Sequence, residues 1–123
     1  MKQPNAKEIQ WASDIVEFIN GVGLGVLYPG YESRLDYHLH HVTGRASKQN
    51  KIAIGHWFIL PVPIELHDVM SNHPFNVTHH KKLFCERFGQ QSDLFMELVE
   101  MMADDMYETP PKEVLNAIMD TRA

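Results

Sequence analysis

Eight histidines fall within 43 consecutive positions: His38, His40, His41, His56, His67, His73, His79 and His80. Neutral imidazole is the commonest side-chain metal ligand, and it titrates close enough to neutrality to serve as a general base. His40 and His41 are adjacent, in a run over residues 35–42 that reads as a strand. Successive strand side chains point to opposite faces, so Tyr37, Leu39 and His41 share one face and His38, His40 and Val42 the other. One member of the pair can then hold a cation while its neighbour faces a substrate. Hydrolysis of a phosphodiester needs that division of labour: a base to take a proton from water, and a cation to stabilise the charged transition state. Any single histidine has an ordinary alternative as a surface or satisfied core residue. The order of the elements that carry them argues for the set.

Residues 43–51 form a polar, basic loop containing Gly44, and residues 52–60, which include His56, read as a second strand pairing with the first in a hairpin. Pro61 and Pro63 are expected to end that strand, because neither can donate a ladder hydrogen bond. A helical turn over 64–69 then carries His67. Strand, hairpin, strand and short helix make the ββα frame that grips one divalent ion. Outside it, Ile9, Ile15, Val16, Phe18 and Ile19 predict a helix near 5–20, ending at Asn20-Gly21. Residues 77–88 predict another, stopped by Gly89. Two more follow, one capped by Ser92 and one led by Thr109 and Pro110. Gly21 to Gly25 has glycine-loop spacing but lacks a third glycine and a preceding strand, which argues against a nucleotide site. Met96, Met101, Met102 and Met106 read as core packing or a partner groove. Trp57 and Phe58 read as core rather than as platforms for bases.

A chain of 123 residues with 44% hydrophobic side chains suits a single α+β domain over 1–123. Its core spans 35–90, with a helix and loop over 1–34 and further helices over 91–123. Cys85 is the lone cysteine, which leaves no internal disulfide and no CxxC clip, so a metal site must use histidine, carboxylate and carbonyl. The apolar runs are too short to cross a bilayer, and the chain opens without a leader pattern, so a soluble cytoplasmic protein without membrane partners is expected. The net charge of −5 is unevenly spread. Residues 34–88 hold seven basic and four acidic side chains, against four and twelve elsewhere. The histidine-rich centre is therefore basic, and Arg45, Lys48, Lys51, Lys81 and Lys82 are the cations available to phosphates. This pattern is compatible with DNA as partner.

The stretch His38-Leu-His-His-Val-Thr-Gly-Arg45, followed by Gly55-His-Trp-Phe-Ile-Leu-Pro61, Leu66-His67, Lys81-Lys-Leu-Phe84 and Arg87-Phe-Gly89, resembles the phage and prophage recombination-enhancement RecA-dependent nucleases of the HNH (ββα-metal) superfamily. The similarity covers roughly residues 35–90. It implies a metal-dependent DNA endonuclease with one divalent ion, Mg²⁺, Mn²⁺ or Zn²⁺, associated with phage recombination and working alongside a RecA-like filament. Carried over by position, it implies that His40 is a metal ligand, His41 the general base and His67 a second ligand. The third ligand would be His73, with His79 as the alternative. His56, expected on the second strand, would orient the base or contact phosphate, and Asp68 would support the ligands from behind. Many HNH proteins bind a structural zinc through cysteine pairs; Pro63 and Leu66 stand at such positions here, so that zinc should be missing. The departure keeps open an accessory module that retains the frame to hold DNA or a protein without cutting. Strandedness of the substrate and oligomeric state stay open as well.

Overall fold

A computed structural model of the chain describes residues 3–33, 35–67 and 73–123. Among them are five α-helices, a 3-10 turn and two small antiparallel sheets, a mixed α+β fold. Asp68 and the end of the helix expected over 64–69 lie outside the described residues.

Helix α1 (Ala6–Val22) begins in a capping box: the Asn5 side chain accepts from the Glu8 N–H at 2.9 Å, and the Glu8 carboxylate accepts from the Asn5 N–H at 2.8 Å. Trp11, Ile15, Phe18 and Ile19 recur at helical spacing and are buried. Ile9, expected on that stripe, is 56% exposed. The helix runs past Gly21 to Gly23, whose φ of 89° suits glycine and whose N–H returns to the Ile19 carbonyl. A 3-10 turn (Leu24–Val26) follows, burying Leu24.

Strand β1 (Tyr37–His41) pairs antiparallel with β4 (Ile59–Pro63), Leu39 opposite Pro61 and His41 opposite Ile59. The second strand is thus shifted toward the C-terminus of the expected one, and both prolines lie inside it. The ladder tolerates them for a geometric reason. Hydrogen bonds from Ile64 N–H to the Asp36 carbonyl and from Val42 N–H to the Phe58 carbonyl bracket it. They make the even-numbered pairs the hydrogen-bonded ones, so Pro61 and Pro63 sit where the nitrogen faces away from β1. The outward Pro61 carbonyl accepts from the buried Tyr28 hydroxyl at 2.6 Å.

The connection between β1 and β4 contains its own hairpin, β2 (Lys48–Gln49) with β3 (Ile52–Ala53). Asn50 and Lys51 turn it with φ of 55° and 65°, the paired positive values of a two-residue hairpin loop. Asn50 also donates to the Asp120 carboxylate at 2.6 Å, tying the hairpin to the C-terminal helix. The expected strand over 52–60 breaks at residues 54–58, where the Ile54 and Gly55 N–H groups both reach the Ser47 carbonyl.

Helix α2 is described over one turn (Ile64–His67). Its open carbonyls are met by the segment after the undescribed residues: Asn76 Nδ2 donates to the Glu65 carbonyl, Val77 N–H to that of Leu66, and the Thr78 hydroxyl to that of His67. Asn76 is fully buried, and its Oδ1 accepts from the Thr78 and His79 N–H groups. Helix α3 (Lys81–Phe88) starts later than its expected range and stops at Gly89, φ 102°. Helices α4 (Gln91–Asp104) and α5 (Lys112–Asp120) complete the chain. Ser92 is not the α4 cap; it lies inside the helix, buried, with its hydroxyl on the Ala123 carbonyl. Nor does Thr109 cap α5, which begins behind Pro111.

The core joins Trp11, Ile15, Phe58, Leu60, Phe84, Phe95, Leu98 and Ile118. Trp57 and Phe58 are buried in it, and the Trp11 indole N–H donates to the Trp57 carbonyl at 3.1 Å. Among the methionines Met102 is buried, whereas Met106 is 92% exposed.

Gly55 carries the tightest constraint in the inter-strand connection. A Cβ there would overlap the carbonyl oxygens of Gly44 and Arg45. Gly55→Ala is therefore expected to destabilise the protein by roughly 1–3 kcal/mol, the usual cost of overpacking. An equilibrium urea titration checks this; a midpoint equal to wild type would show that the two loop segments separate freely.

Candidate functional site

The β1/β4 register sorts the histidines onto two faces. His38 and His40 lie on the face shared with their cross-strand partners Val62 and Leu60, both fully buried. On that face α2 supplies His67. The His40 and His67 rings are 4.7 Å apart at centroids, and His38 and His67 4.9 Å. His38 Nδ1 and His67 Nδ1 are 2.7 Å apart. A contact that short between two nitrogens requires a proton between them, one ring donating and the other accepting.

His40 is held neutral. Burial lowers its pKa to about 4, aided by the neighbouring charges of His67, His41 and Lys81, while the Gln91 amide pulls the other way. Gln91 opens α4 and is itself buried, with an Oε1 that lacks a well-aligned hydrogen-bond partner. A neutral imidazole keeps the lone pair that a cation needs, so the donor set His38, His40 and His67 fits a divalent ion in chemical type. As the side chains stand, no three His, Cys, Asp or Glu groups among the described residues surround a common point at ligand distance.

The opposite face belongs to His41. Its ring meets that of His56 at 5.3 Å, edge to face. His56 is buried and reaches this position from the turn between β3 and β4, not from a strand as expected. Arg45 completes the group beside a cavity of about 310 Å³ lined also by Glu8, Ile9, Leu39 and Ile59, between α1 and the sheet. The His41 pKa is lowered by burial first, then by the charges of Arg45 and His56. His41 is thereby biased toward the unprotonated form a general base requires.

His73 is placed by contacts of its own. Its Nδ1 accepts from the Phe75 N–H at 3.1 Å, and its Nε2 is 3.5 Å from the Tyr31 hydroxyl, beside a cavity lined by Pro29, Glu65, Arg87 and Phe88. His79 lies in the turn before α3, its backbone N–H on Asn76 Oδ1. His38 also meets His67, and for it the sequence carried one signal, its two-residue spacing from His40 on a common strand face. Among the cations, Arg45 adjoins His41 and Lys81 lies close enough to His40 to influence its charge. Lys82 follows on α3, exposed; Lys48 and Lys51 are carried by the hairpin tied to α5.

Compared with protein-family models, with curated proteins and with solved structures, the chain shows no match. The chemistry of the two histidine faces rests on their geometry. A charge test follows for the His41 face. Because the Arg45 cation disfavours imidazolium, Arg45→Gln should raise the His41 pKa toward its ordinary value of 6.5. A pH titration of the His41 ring proton by NMR checks the sign; an unchanged or lower value would remove Arg45 from the site's electrostatics.

Proposed function

We propose that the chain is a metal-dependent endonuclease of the HNH (ββα-metal) kind that hydrolyses DNA phosphodiester bonds, in phage or prophage recombination. The observation that carries the reading is the pairing of two adjacent histidines with separate imidazoles: His40 against His67, and His41 against His56. The order β1, β4, α2, with the ligand-type histidines on β1 and α2, supports it. A divalent ion held at His40 and His67 would supply charge neutralisation to the phosphate and its leaving oxygen.

The chain's own residues account for the rest. His41, kept unprotonated, takes a proton from a water molecule whose oxygen bonds to phosphorus as the bond to the leaving sugar oxygen breaks; that oxygen takes up a proton in turn. His56 fixes the His41 ring edge to face. Arg45 on the loop and Lys81 at the start of α3 lie near the two histidines and would hold flanking phosphates. Lys82, Lys48 and Lys51 would extend contact along the backbone. A recombinase filament would serve as partner by presenting the strand to be cut.

One observation favours a second reading, a non-catalytic accessory module that holds DNA or a protein. His40 and His41 lie on opposite faces of the ladder, so a substrate must bend around the end of β1 to meet both.

Cleavage of single-stranded and duplex DNA with Mg²⁺, Mn²⁺, Zn²⁺ or chelator, with and without a recombinase filament, separates the two. On the first reading His41→Ala loses at least about 10²-fold in rate, as expected for a general base, with metal affinity retained. His67→Ala loses the metal itself. Equal loss of metal in both variants would overturn these roles, and DNA binding without cutting under every condition would establish the accessory module.

A further inference from the structure

The contact between His38 and His67 carries more than the sequence did. Two imidazole lone pairs aimed at one point repel, and their Nδ1 atoms stand at 2.7 Å only because a proton bridges them. His40, two residues along the same strand face, brings a third ring to within 4.7 Å of His67. These three rings come from two elements that are each fixed: β1 by its ladder, and α2 by hydrogen bonds from Asn76, Val77 and Thr78. Beside them the buried Gln91 Oε1 lacks a well-aligned hydrogen-bond partner, although its amide acts on His40.

We propose that His38, and not His73, completes a three-imidazole cation site with His40 and His67, and that its all-nitrogen donor set selects a zinc-like transition metal over Mg²⁺. Imidazole nitrogens suit Zn²⁺, whereas Mg²⁺ takes oxygen donors. On a tetrahedral ion at about 2.0–2.1 Å, neighbouring ligand nitrogens stand roughly 3.3–3.4 Å apart. The His38 and His67 rings need to part by only a fraction of an ångström as the ion replaces the bridging proton. His73, by contrast, has its Nδ1 engaged by the Phe75 N–H and its Nε2 near Tyr31. The inference rests on the metal-dependent reading above, and it is tested without DNA so that a failure of cleavage and a failure of this site can be told apart.

The test is a titration of the chelator-treated full chain with Zn²⁺, Co²⁺ and Mg²⁺. Calorimetry follows Zn²⁺ and Mg²⁺, and visible absorption follows Co²⁺. Wild type should take up one equivalent of Zn²⁺ and develop a Co²⁺ ligand-field band, with Mg²⁺ binding at least ~10-fold weaker. His38→Asn should weaken Zn²⁺ by at least ~10-fold and lose the band, while His73→Asn should stay within about threefold of wild type. A histidine-ring ¹⁵N spectrum of the wild type during Zn²⁺ addition keeps the test independent of how the variants fold. Shifts at His38, His40 and His67 without His73 support the site. Zn²⁺ binding that survives in His38→Asn but is lost in His73→Asn, ring shifts at His73 in place of His38, or Mg²⁺ bound as tightly as Zn²⁺ would overturn it.

Discussion

The antiparallel pairing of β1 with β4 is the constraint from which the site descends. Its register places His38 and His40 beside fully buried Val62 and Leu60, and His41 on the reverse beside Ile59. A slip of one residue would exchange the two faces, carrying His41 to the α2 side and His38 and His40 to the α1 side. The buried partners on both faces oppose such a slip. Pro61 and Pro63 oppose the alternative slip in which β4 turns over instead, because it would point their nitrogens, which cannot donate, toward β1.

Around that ladder, short elements are held by side chains from distant segments. The described turn of α2 keeps His67 in place because Asn76, Val77 and Thr78 meet its carbonyls. Asn76 can do this while buried because its own side-chain oxygen accepts from two N–H groups, leaving little polar capacity unmet. On the other face Gly55 lets the turn carrying His56 close onto Gly44 and Arg45, which brings His56 to His41. The two histidine groups thus depend on loop packing as much as on the sheet.

Electrostatics follow from the same placement. His40 and His41 are both pushed toward neutrality, with burial the largest cause in each. The sign matters for stability. The folded His40 binds its proton only near pH 4, below the unfolded value of 6.5, so the stability that neutral His40 contributes is present above that unfolded value and is lost as pH falls through the window between them.

Local pattern in the sequence determined much of the framework. The spacing of Ile15, Phe18 and Ile19 marked α1, Gly89 marked the end of α3, and alternation on β1 put His38 and His40 together with His41 opposed. These features depend on residues a few positions apart, where backbone sterics and side-chain period act directly. Contacts between segments far apart in the chain were decided by the tertiary structure. Prolines that should end a strand sit inside β4 because only one edge of it is paired, and His56 belongs to a turn because Gly55 packs on a loop ten residues earlier. His38 meets His67 because α2 crosses the strand face where His38 already stands, a juxtaposition across 29 residues that no local spacing encodes.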